Sequence, residues 1–76
     1  MSFQGYLKTI LEKTGLKPGD FRRIAEEKGF TENRKLKKEV KAAQVIAWLK
    51  EDYQLGHGHS MAIVALLKGD KDEQSA

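Results

Sequence analysis

The chain contains no cysteine, which removes disulfides, thiolate metal ligands and a thiol nucleophile together. It has no long apolar run either: the longest, Met61 to Leu67, is far too short to span a bilayer, and no N-terminal segment joins a basic start to an apolar stretch. The expectation is a soluble, cytoplasmic protein that does not enter a membrane. Aromatic residues are few, with a single tryptophan, Trp48, so an extended platform for stacking bases is not to be expected. Length sets a further limit. A chain of 76 residues makes one domain with a small core and leaves little volume for a substrate pocket, so an enzyme is not expected and no cofactor is implied.

What is present is charge and helical periodicity. The formal charge is +3, of which residues 70–76 contribute −2, leaving +5 on residues 1–69. A body of this charge attracts nucleic acid and other anions, although the same field also serves solubility alone. Residues 1–69 read as one helical domain, and residues 70–76 as an acidic, disordered tail with nothing to bury.

Phe3, Tyr6, Leu7, Ile10 and Leu11 recur at the spacing of one helical face, with Ser2 as a cap. Gly15 suits a left-handed ending, from which Leu16 would pack back on Leu11. Pro18 and Asp20 mark the start of a second helix whose stripe is Phe21, Ile24 and Ala25, and Gly29 with Phe30 repeats the same ending. From Thr31 to Lys41 the pattern loosens. Leu36 and Val40 would allow one extra helical turn, capped by Thr31, and a mobile loop is the alternative. Ala42, Val45, Ile46, Leu49 and Tyr53 then make a broad face, widened by Ala43, Ala47 and Trp48, which suggests the central helix. The last helix is apolar nearly all round from Met61 to Leu67 and ends at Gly69. The spacing therefore predicts an all-α bundle of four short helices at about 2–14, 18–28, 42–54 and 58–68.

Three constellations are candidates for function. The first is Gly56-His57-Gly58-His59-Ser60-Met61-Ala62 between the last two helices. Its G-x-G-x-x-x-A spacing resembles the hairpin of helix-hairpin-helix DNA-binding motifs, where glycines let the backbone turn and exposed amides at the next helix hold a phosphate. The chain departs from that pattern at His57, where the motif carries an aliphatic plug. A tight helical corner built by Gly56 and Gly58 is the competing reading. The second is the basic run containing Lys35, Lys37, Lys38 and Lys41, which beside the hairpin would contact a nucleic-acid backbone; Glu32 and Glu39 dilute it, and a solvated face is the alternative. The third is the pair His57 and His59, weak candidates for a metal because two imidazoles without further ligands do not make a site. A structural part for them, with a ring pinned beneath the helix to fix the turn, is the simpler reading. Ser60 beside His59 lacks an oriented third group and an oxyanion site, and carries no nucleophilic chemistry.

Several blocks together resemble one family. Met1 to Leu7 (MSFQGYL), Thr14-Gly15 with Pro18 and Phe21, Val45 to Lys50 (VIAWLK), Leu55 to His59 (LGHGH) and Ala62 to Val64 (AIV) are similar to the small bacterial domain of unknown function numbered 4287. The resemblance runs over the whole expected domain. It implies a short helical bacterial domain and brings no established activity. The connection over 31–40 is longer and more basic here than is usual in that family, and Met61 stands where many members carry a polar residue. The expectation is thus a non-enzymatic binding module that contacts nucleic acid through Gly56, Gly58, His59 and the lysine run. The alternative is a protein partner or self-association through apolar residues left over on the last two helices, and metal binding at the two histidines comes third.

Overall fold

In the computed structural model, residues 3–33 and 35–69 are described. Four helices make an all-α fold: α1 Phe3–Thr14, α2 Pro18–Glu27, α3 Ala42–Tyr53 and α4 His57–Lys68. All four fall where the apolar periodicity places them. The Ser2 cap and the tail over 70–76 lie outside the described residues.

The helix ends show why local chemistry made these elements legible. Gly15, Gly29 and Gly69 all take left-handed backbone, at φ 74°, 82° and 86°, a conformation that costs other residues a clash at Cβ. At the end of α2 the amide of Phe30 donates to the Ala25 carbonyl at 2.9 Å and that of Gly29 to the Glu26 carbonyl at 3.0 Å, the full Schellman pair. The end of α1 differs from the expected copy. Gly15 donates to the Leu11 carbonyl at 2.7 Å, but the amide of Leu16 donates to Thr14 Oγ1 at 3.1 Å instead of reaching a carbonyl. The Thr14 hydroxyl in turn donates to the Ile10 carbonyl at 2.7 Å, so one side chain replaces the second bond of the motif. The helix starts are half-closed from within: Asp20 accepts from the Lys17 amide at 2.9 Å, and Gln44 from the Lys41 amide at 2.8 Å.

The segment between α2 and α3 corrects the expected extra turn of helix. It holds a small antiparallel hairpin, β1 Thr31–Glu32 and β2 Lys35–Leu36, with Thr31 opposite Leu36 and Glu32 opposite Lys35. Asn33 opens the two-residue loop at φ 54°, a conformation asparagine tolerates better than most residues and one that suits the twist of a tight hairpin. The amide of Lys37 extends the pairing by donating to the Phe30 carbonyl at 3.0 Å, and a turn from Lys37 to Val40 leads into α3. Thr31 is buried as a strand residue and caps nothing.

The core also has a different centre from the one expected. Helix α4 packs against α1, α2, α3 and β2, whereas α3 has its main packing with α4 alone. Ser60, Ala62, Ile63, Val64, Leu66 and Leu67 of α4 are buried, against Val45, Trp48 and Leu49 of α3. Ala43 and Ala47 face solvent. The reason lies in the sequence itself: only α4 is apolar on all sides, and such a helix is stable in water only when others enclose it. Trp48 is in the core, edge-on to Phe21, Phe30 and Tyr53 at 6.4, 5.7 and 6.0 Å, so it offers no base a stacking surface. Lys28 covers this cluster, with Nζ 5.6 Å from the Trp48 ring centroid and 3.9 Å from Asp52 Oδ2.

Candidate nucleic-acid interface

The corner between α3 and α4 is not built by its glycines. The left-handed residue is Gln54, at φ 56°, and Leu55 behind it is 2 % exposed, with its amide reaching the Leu49 carbonyl at 3.4 Å. Leu55, two residues ahead of His57, is the aliphatic side chain that enters the core at this corner. Gly56 is the N-cap of α4 at φ −69° and ψ 171°, an ordinary extended backbone, and Gly58 lies within the helix. The expected tight bend made by Gly56 and Gly58 is thus replaced by a bend at 54 and a helix that starts at His57.

The same corner is half open. Gly56, His57 and Gly58 are exposed, and no side chain caps α4, so its first amides face outward. His59 is different. Its ring stands edge-on to Tyr6 of α1, with centroids 5.0 Å apart and planes at 88°, and its Nε2 is buried with no hydrogen-bond partner among the described residues. A β-carbon at Gly58 would sit 3.5 Å from Tyr6 Oη. His59 thus ties the start of α4 to α1 and does not present its imidazole to a ligand. His57 and His59 stand apart in environment, and among the described residues no group of three or more histidine or carboxylate side chains gathers to hold a metal ion.

The lysine run lies at the other end of α4. A β-carbon added to Gly69 would be 3.6 Å from Lys35 Cε, which places β2 beside the C-terminus of that helix. Lys41 precedes α3, which is joined to the start of α4 by residues 54–56 and packs along it, so the beginning of α3 also lies away from the corner. A helix of 12 residues is about 18 Å long. The structure therefore separates the two halves of the expected site: Gly56, Gly58 and His59 at one end of α4, Lys35, Lys37, Lys38 and Lys41 towards the other.

At that basic end Lys35, Lys38 and Lys41 are exposed and Lys37 is half-buried. None of the four makes an ion pair with a described residue. A shallow depression of about 300 Å³ is lined by Glu32, Asn33, Leu36, Lys37, Lys38 and Glu39. Glu32 and Glu39 share this lining with Lys37 and Lys38 without an ion pair to either, so the depression is not a basic pocket. Lys68, in the last turn of α4, adds a cation at the same end. The sequence reading passed it over, although the last turn is where a helix dipole favours one.

A model of the domain of unknown function DUF4287 matches residues 2–69, and the chain belongs to that family. A search of the curated proteins and a search of the solved structures each matched nothing.

Proposed function

We propose that this member of the family is a non-enzymatic, cytoplasmic binding module that contacts a nucleic-acid backbone through its basic end. The observation that carries the reading is that Lys35, Lys37, Lys38 and Lys41 follow one another along β2, the turn after it and the α3 entry, with no ion pair to a carboxylate among the described residues. Unpaired ammonium groups on a body of net charge +5 release counterions when they meet phosphates, and that release drives association. Contact of this kind needs neither an aromatic platform nor a pocket. It reads backbone charge and carries no base sequence. The open amides at Gly56, His57 and Gly58 are a second contact only for a ligand long enough to run the length of α4.

The test is a titration of a labelled duplex at several salt concentrations. Four lysine contacts give a slope of log K against log salt of about −3 to −4, and Lys37→Glu with Lys38→Glu lowers affinity at least tenfold and flattens the slope by about two. An affinity that does not change with salt sinks the reading.

One observation favours a second reading, a protein partner. Gln4, Leu7, Lys8, Leu11 and Pro18 line a shallow groove of about 280 Å³, and Leu11 is 40 % exposed. This groove lies on α1 and the start of α2, away from the last two helices, where Met61 at 41 % is the one exposed large apolar side chain among the described residues. Concentration-dependent mass in sedimentation that Leu11→Glu abolishes would favour it over the first.

A further inference from the structure

The lysines of the basic end are set in the frame by backbone bonds. Lys35 pairs with Glu32 in the β ladder, and the Lys37 amide donates to the Phe30 carbonyl at 3.0 Å. The Lys37 carbonyl accepts from the Val40 amide at 3.1 Å, which closes the turn holding Lys38, and the Lys41 amide donates to Gln44 Oε1 at 2.8 Å. Such an array offers charge at set positions and little else, because the aromatic side chains are engaged elsewhere. Phe3, Phe21 and Trp48 are buried. Half-buried Tyr6 packs edge-on to His59 at the corner. Half-buried Tyr53, about 18 Å of helix away from Lys41, packs on Phe21 at 5.4 Å. Among the aromatic residues Phe30 alone adjoins the lysines, and its half-buried ring lies edge-on to Trp48 at 5.7 Å.

We propose that the basic end selects double-stranded over single-stranded nucleic acid, and does so by phosphate charge density alone. This rests on the reading of that end as the backbone contact and names the form of the ligand. Magnitudes decide the direction. Each phosphate neutralised releases about 0.9 of a counterion from a duplex and about 0.7 from a single strand. Over four lysine contacts the two ligands differ by about the 0.8 power of salt concentration. With no other contact to distinguish them, the duplex is favoured about tenfold at about 0.05 M salt, about sixfold at about 0.1 M and about fourfold at about 0.2 M. A single strand recovers affinity where its bases stack on aromatic rings, and one stacked base is worth from about fivefold to over about a hundredfold. That gain matches or outweighs the electrostatic preference wherever a ring is open to a base. Here the rings are engaged in the core and in the contact between α1 and α4, so the duplex keeps its advantage.

The full chain is titrated across salt with a mixed-sequence duplex of about 20 base pairs and with an unstructured single strand of about 40 nucleotides, which carry similar numbers of phosphates. The duplex is expected to bind about sixfold more tightly at about 0.1 M salt, with the ratio rising as salt falls. A single strand bound as tightly as the duplex at that salt overturns the selectivity and leaves the backbone contact intact. A ratio that stays constant with salt overturns charge density as its basis. Binding of neither ligand removes the backbone reading itself, and the selectivity with it. Phe30→Leu tests the one ring beside the lysines. The ratio of two affinities measured on one sample is unaffected by any fraction that fails to fold, so the variant is expected to keep the parent's ratio. A loss confined to single-strand affinity would show that the Phe30 ring stacks on a base, and would overturn the proposal.

Discussion

Gln54 holds a left-handed backbone at φ 56° in a link that has glycine two residues further on. The position is dictated by Leu55, which must enter the core immediately after α3 ends, so the chain turns at 54 whatever residue stands there. A non-glycine residue in this conformation costs about 1–2 kcal/mol, and glycine returns part of that through its freer unfolded chain. Gln54→Gly is expected to stabilise the fold by about 0.5–1 kcal/mol and raise the melting temperature by a few degrees. A fall in melting temperature would mean that the Gln54 side chain contributes more than its backbone costs. Tyr53, one residue earlier, makes a pH prediction. Burial raises its phenol pKa above the usual 10.0, and Asp52 adds to the shift. A group whose folded pKa is raised favours the folded state while protonated, so its contribution is complete below the unfolded pKa of about 10 and is lost as pH climbs through the folded value. Denaturant midpoints should therefore fall more steeply above about pH 10 for the parent than for Tyr53→Phe. Parallel profiles would assign the alkaline loss to other groups.

At the scale of elements, the sequence spoke most clearly where one residue type decides a backbone conformation. Gly15, Gly29 and Gly69 announced three helix ends because the left-handed region is nearly closed to others. The hairpin was not announced, since two strands of two residues each are too short for an alternating pattern to rise above the i, i+4 pair Leu36 and Val40. The one local cue was Asn33, a residue favoured at the first position of a two-residue hairpin turn. That cue gives a prediction. Asn33→Ala forces a β-branchless but still hindered residue into φ 54°, at a cost of about 1 kcal/mol, and the strain falls on the hairpin alone. Hydrogen exchange at the Lys37 amide, bonded to the Phe30 carbonyl, should speed up several-fold while amides in α4 keep their protection. Uniform loss of protection would make the hairpin part of the cooperative core instead. The centrality of α4 was half legible: its all-round apolar character required cover, but which helix would be the hub depended on tertiary packing that periodicity does not encode.

At the scale of the whole molecule, what the sequence could not supply was distance. The corner and the lysine run are separated in sequence by α3, and a helical pair joined by residues 54–56 folds back so that the two sets stand towards opposite ends of α4. A reading of composition joins them into one surface; the fold spaces them by up to about 18 Å. That separation decides how variants combine. Sites further apart than about 10 Å, sharing no partner, change free energies additively. If the ligand is held at the basic end alone, His57→Ala leaves duplex affinity within about twofold of the parent and the Lys37→Glu, Lys38→Glu pair removes at least tenfold. A short duplex and a long one then lose the same factor. If instead a ligand spans α4, His57→Ala weakens only the long duplex, and its effect adds to that of the lysine pair without coupling. A loss at His57 as large as the loss at the lysines, on the short duplex, would contradict the placement of the contact at the basic end, because no short ligand held there reaches the exposed start of α4.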